Sequence, residues 1–227
     1  MQRSDVNAIM AAADDFIGSF GFRLPPFAYW SPGEMQARRP AGIVKSRLGW
    51  DITDYGKGRF GELGLFLFTL RNGDVADLAR GTGMLYAEKI MISRRDQMSP
   101  MHRHIMKAED IINRGGGTLV IELYMSGPDG SIDERAEVNV PTDGVERRLP
   151  AGAKLELAPG ESVTLLPGVW HAFWGEAGDV LIGEVSTVND DLTDNVFREP
   201  IGRFARIEED VAPRHLLVSD YDSWLAR

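Results

Sequence analysis

The chain has 227 residues, 43% of them hydrophobic and 26% charged, which suits a folded globular protein with a full core. A formal charge of −9, with only short basic pairs such as Arg38-Arg39 and Arg147-Arg148, argues against a nucleic-acid partner, which would need clustered lysine and arginine. There is no cysteine, so disulfides are excluded and any metal must be held by nitrogen and oxygen ligands; the longest apolar run, 63–70, is far too short to span a bilayer.

Asp14 and Asp15 stand where a signal peptide would need an unbroken apolar region, so a cytoplasmic protein is expected. Val6, Ile9, Met10, Ala13, Phe16 and Ile17 recur at helical spacing and predict an amphipathic helix from Asp5 to about Ser19, with Ser4 as N-cap. Pro and Gly then punctuate R-L-P-P-F-A-Y-W-S-P-G-E, after which a second short helix is expected over Glu34 to Arg38. The stretch L-G-W-D-I-T-D-Y-G-K-G-R-F reads as an extended connector. The apolar helix, with Phe27, Tyr29 and Trp30 nearby, offers surface that a homodimer would bury.

From residue 62 the pattern changes to short extended segments. L-G-L-F-L-F-T-L runs into R-N-G-D, a tight-turn sequence. M-L-Y-A-E-K-I-M-I, T-L-V-I-E-L-Y-M, A-E-V-N-V, A-K-L-E-L, S-V-T-L-L, V-W-H-A-F-W and D-V-L-I-G-E-V-S-T follow as strands, separated by turns such as P-T-D-G, A-P-G-E and G-E-A-G-D. Regular short strands with Gly, Pro and Asp turns predict an antiparallel sandwich or barrel. The fold expected is mainly β: a barrel over 61–200, helices and connector at 1–60 packed on it, and a closing segment at 201–227.

Two of only four histidines, His102 and His104, stand two residues apart, and side chains at i and i+2 of a strand share one face. Glu109 adds a carboxylate five residues on. His171 lies in L-P-G-V-W-H-A-F-W, where alternation puts it with Val169 and Phe173 in an apolar interior, a costly place for an imidazole without a ligand or hydrogen-bond partner.

The spacing of His102, His104, Glu109 and Gly116 resembles the first cupin motif, and Gly160, Pro167-Gly168 and His171 resemble the second. The leading glycine of the first is replaced by Asp96, and the second is shortened by one residue before Gly168. The resemblance implies a cupin barrel in which His102, His104, Glu109 and His171 hold a divalent metal. Mn²⁺ is the first choice, with Fe²⁺, Co²⁺, Ni²⁺ or Zn²⁺ as alternatives suited to nitrogen and oxygen ligands.

The stretch M-H-R-H-I-M-K-A-E-D-I-I-N-R-G-G-G, the turn before His171-Ala172-Phe173-Trp174, and G-E-V-S-T-V-N-D-D-L-T-D-N together resemble the D-lyxose isomerase family, over about residues 85–205. That resemblance implies a metal-dependent aldose–ketose isomerase acting on D-lyxose and D-mannose, with a monosaccharide as partner. Removing the proton beside a carbonyl and returning it to the neighbouring carbon needs a positioned acid and base. Lys107, two residues before Glu109, is one candidate, with a pKa expected to be depressed; Glu184, alternating with Val180, Ile182 and Ser186, is the other.

Lys89 alternates with Leu85, Ala87 and Met91 and is a candidate hydroxyl donor. Trp174 has a face on which a sugar can stack, although parity sets it opposite His171. Asp191 and Asp194 are substrate contacts only as the family resemblance implies. His215 reads as structural. The competing readings are an Fe²⁺ cupin dioxygenase, a sugar-binding cupin without turnover, and a phosphosugar isomerase, for which Arg114 is the one basic feature near the ligands.

Overall fold

Apolar residues on both faces of consecutive strands decide the architecture, because such strands must be covered on both sides. The computed structural model describes residues 1–225. Its helices are α1 (Arg3–Ser19), α2 (Pro32–Arg38), α3 (Ala41–Lys45), α4 (Val75–Arg80) and α5 (Tyr221–Trp224). Its strands are β1 (Gly49–Thr53), β2 (Leu65–Asn72), β3 (Tyr86–Ser93), β4 (Ser99–His104), β5 (Glu109–Ser126), β6 (Ile132–Asp133), β7 (Val138–Thr142), β8 (Val145–Leu149), β9 (Ala153–Leu157), β10 (Ser162–Leu165), β11 (Trp170–Thr187) and β12 (Asn195–Phe197). The main path of the antiparallel sheet runs β1-β2-β3-β11-β5-β10-β7-β8, giving the mainly β barrel with an N-terminal helical extension that the sequence predicts. No helix among the described residues is long and apolar enough to cross a membrane.

The alternation of β1 and β2 builds two cores. Leu65 and Leu67 face the barrel interior with Ile111, Val180 and Ile182. Phe66 and Phe68 face outward with Trp50 and Ile52, and there meet Val6, Met10, Ala13 and Ile17 of α1. Burying each large side chain of that seam contributes about 1.5–3 kcal/mol. The apolar face of α1 is thus consumed within the chain. Phe27 packs on Phe68 and Trp30 joins the core under α2, leaving only Tyr29 of the three aromatics exposed, so the surface that suggested a homodimer is mostly internal.

Strands β5 and β11, 18 residues each, pair from Trp170 opposite Tyr124 to Ser186 opposite Glu109. G-E-A-G-D is therefore not a turn between two strands. It is an irregularity inside one strand, where the register shifts between Glu176 and Val180 as both strands turn a corner of the barrel. Gly116 sits at that corner with φ +98°, and a Cβ there would meet the Asp179 carbonyl oxygen at 2.1 Å. Asp96, in place of the first motif's glycine, keeps the left-handed backbone with φ +59°, a conformation that Asp tolerates.

Other local expectations shift for identifiable reasons. Helix α1 starts at Arg3 behind Gln2 because Ser4 is engaged elsewhere, its Oγ donating to Asp210 at 2.6 Å. The second short helix begins at Pro32 behind the Ser31 cap. R-N-G-D is not a hairpin turn: Asp74 caps α4, and β2 and β3 pair around that insertion. The supposed connector contains β1, and residues 109–117, unassigned from sequence, belong to β5. Strand β8 is almost wholly exposed and charged, so it lacks the alternation that would announce it.

The tail after residue 200 is bound to both ends of this frame. Arg3, fully buried, donates to Glu209 at 2.8 and 2.5 Å and to Asp220 at 3.0 and 2.9 Å. Trp50 bridges to Leu217, and His215 stacks on Trp50 while its Nδ1 meets the Trp30 carbonyl, a structural placement.

Gly116→Ala should lose more than about 1 kcal/mol of stability, because it combines a left-handed φ with a backbone clash. Urea unfolding checks this; an unchanged midpoint would mean that the corner relaxes freely.

Candidate active site

Strand pairing, not local sequence, brings the ligand types together. His102 of β4 lies directly opposite His171 of β11, and His104 follows on the same face of β4. Glu109 opens β5, placed by its pairing with Ser186. One nitrogen from each of His102, His104 and His171 lies within 4.8 Å of the others. Glu109 Oε1 stands 3.4 Å from His104 Nε2 and 3.2 Å from His171 Nε2. Two ligand atoms at right angles on one divalent ion, each about 2.1 Å from it, are separated by about 3 Å.

Surrounding carbonyls set the tautomers. His102 Nδ1 is 2.8 Å from the Pro100 oxygen and His171 Nδ1 is 3.1 Å from the Val169 oxygen, so each ring donates there and keeps its Nε2 lone pair for a ligand. His104 Nδ1 is 3.6 Å from Asp194 Oδ2. Burial and the neighbouring imidazoles hold His102 well below its ordinary pKa, and burial with Lys107 lowers His104, so both rings are neutral at pH 7, as ligands must be. Both ring nitrogens of His104 and Oε1 of Glu109 are buried without a hydrogen-bond partner among the described residues. Such groups are costly unless something satisfies them, and a divalent cation fits this donor set.

Beside this cluster lies a chain of alternating charges. Lys107 Nζ is 2.6 Å from Glu109 Oε2 and 3.0 Å from Glu184 Oε1. Glu184 Oε1 is 3.2 Å from Lys89 Nζ, its cross-strand partner, and Lys89 donates to Asn189 at 2.6 Å. All four charged groups are buried. The depressed Lys107 pKa expected from sequence is reversed. Burial pulls it down, but Glu109 and Glu184 outweigh burial and hold it above the ordinary lysine value. The second carboxylate arrives from β11, 77 residues away, which local sequence does not reveal. Burial would raise Glu184, yet Lys107 and then Lys89 lower it, so it is a carboxylate at pH 7. Glu109 lies well below the ordinary range for the same reason, with Lys107 the leading counter-charge.

The cavity that holds these groups is also lined by Tyr55, Ser99, Phe173, Asp191, Phe197 and Arg203. Of these, only Asp191 was singled out from sequence. Asp191 is 3.9 Å from Lys89 and 3.3 Å from Arg203; burial would raise its carboxyl, but Arg203, Lys89 and Lys107 hold it far below the usual range. Asp194 does not line the cavity. Its carboxylate accepts the backbone N–H groups of Ile105, Met106 and Lys107, which shapes the loop joining β4 to β5. Trp174 lies on the opposite face of β11, with Nε1 donating to Glu176 and Lys154 over its ring. Arg114 is exposed and lies against Gly183, away from the cavity. Arg203 and Tyr55 carry no local signal: each is a lone residue in a Gly-punctuated loop.

The family model described as D-lyxose isomerase matches residues 1–221. A D-lyxose/D-mannose isomerase of Serratia proteamaculans is 47% identical over 231 residues, covering 100% of both chains. Another from Escherichia coli O157:H7 is 43% identical over 228 residues, covering 97% of this chain and 98% of that protein. Among solved structures, L-ribose isomerase of Acinetobacter sp. DL28 in complex with L-ribose aligns at a TM-score of 0.63, over 92% of this chain and 98% of that one. At 14% identity, that likeness is one of fold.

The folded pKa of Asp191 is depressed, so the stability it contributes is fully present above its unfolded value of about 3.9 and is lost as pH falls below it. Asp191→Asn should therefore lose less stability than the parent between pH 5 and pH 3, as read from urea midpoints; an identical acid slope would count against the charge assignment. For the histidine cluster, a divalent cation at about 100 times its Kd should stabilise the protein by about 2.7 kcal/mol. His104→Ala should abolish that increment in a thermal melt.

Proposed function

Because the chain belongs to the D-lyxose isomerase family and is a sugar isomerase of the aldose–ketose type, we propose that it converts D-lyxose to D-xylulose and D-mannose to D-fructose. The observation that carries the mechanism is the Lys107–Glu184 pair beside three neutral imidazoles and Glu109. His102, His104, Glu109 and His171 would hold a divalent ion, with Mn²⁺ the first choice. When bound, such an ion supplies Lewis acidity to the sugar's carbonyl.

Glu184, held as a carboxylate, takes the proton from C2 of the aldose, and the electron pair of the broken C–H bond forms the enediol double bond. Lys107, held as an ammonium, gives a proton to O1 as negative charge develops there. O2 then returns a proton to Lys107 while Glu184 delivers its proton to C1, giving the ketose and restoring both residues. Lys89 keeps Glu184 ionised and is placed to donate to a hydroxyl. Glu109 serves twice, offering Oε1 to the imidazole cluster and Oε2 to Lys107.

A phosphosugar would require cations free to meet a phosphate. Lys89, Lys107 and Arg203 each face carboxylates within 4 Å instead. A dioxygenase has no use for the buried Lys107–Glu184 pair. The test is to strip the protein with chelator, restore Mn²⁺ and follow ketose formation from both aldoses. Turnover should require the metal and disappear in His104→Ala. Glu184→Gln should lower kcat by about 10²–10⁴-fold with KM little changed. Sugar binding by a metal-loaded protein that forms no ketose would replace this reading with a binding function.

A further inference from the structure

We propose that Arg203 binds a hydroxyl of the sugar beyond C3, positioned for this by Asp51 and Asp191, and that its matched charge selects an uncharged sugar over a sugar phosphate. This rests on the isomerase reading and names the substrate class for the same cavity. Arg203 comes from the tail and Asp51 from β1, and neither belongs to the motifs themselves.

Arg203 lines the cavity of the histidines, Lys107 and Glu184. Its Nη2 donates to Asp51 Oδ2 at 2.8 Å and is 3.3 Å from Asp191 Oδ2. Its Nη1 is buried without a partner among the described residues, and so is Oδ1 of Asp51. Each such group is costly when left unsatisfied. They belong to the two ends of one ion pair, one a donor and the other an acceptor. A hydroxyl in the cavity can accept from Arg203, which lines it, whereas Asp51 does not line it and acts through its pairing with Arg203. A phosphate dianion would be repelled by Asp191, which lines the cavity, and by Asp51 paired with Arg203. The charge of Arg203 is already matched, so it offers hydrogen bonds without the net charge that would favour an anion.

The surrounding backbone is built to hold this arrangement. Asp51 faces inward because β1 alternates, with Trp50 and Ile52 in the outer core. Tyr55, also lining the cavity, sits at φ +53°, a left-handed conformation that is strained for a non-glycine residue and that concentrates at functional sites. Its N–H donates to Thr53 Oγ1, and that hydroxyl donates to the Arg203 carbonyl at 2.7 Å, tying β1 to the tail. Asp54 accepts the N–H groups of Gly56 and Gly58 and fixes the turn. Burial raises the Asp51 carboxyl and Arg203 only partly offsets this.

Lysine and glutamine at 203 provide the test, assayed as Mn²⁺-loaded full-length protein. Arg203→Lys keeps the charge beside Asp51 and Asp191 while losing the planar fork; it carries the test should Arg203→Gln fail to fold. The expected result is a KM for D-lyxose and D-mannose raised 10-fold or more with kcat within about 3-fold, because binding common to ground and transition states is lost. D-glyceraldehyde ends at C3, and the loss of kcat/KM on it should be several-fold smaller. Equal losses on the short and long aldoses, or an unchanged KM, would overturn the proposal, as would faster turnover of D-mannose 6-phosphate than of D-mannose by the parent protein. Absence of turnover by the parent on every aldose would instead remove the isomerase reading itself.

Discussion

The full-length pairing of β5 with β11 is the constraint on which the rest depends. It sets Glu109 opposite Ser186 and Glu184 opposite Ile111, so both carboxylates enter the same interior and can share one lysine. Its other half carries His171, which β4 then meets with His102. Two strands of this length can serve both halves of a barrel only by bending, and Gly116 with the irregularity at Glu176–Val180 provides the bend. The glycines after Asn113 thus act on the site from a distance, through the direction in which each strand leaves the corner.

The cavity is organised by charge matching. Glu109, Lys107, Glu184, Lys89, Asp191, Arg203 and Asp51 follow one another as near neighbours of alternating sign. Buried charges persist only when paired, because burial of a lone ion costs several kcal/mol. Pairing also assigns protonation states. Lysine between two carboxylates remains an ammonium, and a carboxylate between two lysines remains ionised, so an acid and a base coexist within 3.0 Å at neutral pH. Divalent charge at the histidine end would add to this balance, where Glu109 and His104 retain unpartnered atoms.

Much of this is legible in the sequence. The strand-and-turn rhythm gave the mainly β class, because alternation reports directly on which residues face a core. The spacing of His102, His104 and Glu109 marked a shared face, and the parity of Glu184 and Lys89 marked them as inward. Parity also warned that Trp174 would lie on the other face, where it is. What misled was punctuation. G-E-A-G-D and R-N-G-D have turn composition, but the same residues serve a bend inside a strand and the entry to a helix.

The sequence by itself determined most of the strands, the inward parity of the site residues and the nitrogen and oxygen donor chemistry of the histidine–carboxylate cluster, since these follow from local spacing and side-chain type. Only the tertiary structure decided that Lys107 is held protonated, that α1 buries its apolar face within the chain, and that Tyr55 and Arg203 wall the cavity with Asp51 paired to Arg203. Those outcomes depend on groups far apart in the chain. Arg203 stands 152 residues from Asp51, and its energetics arise only once folding removes water from between them.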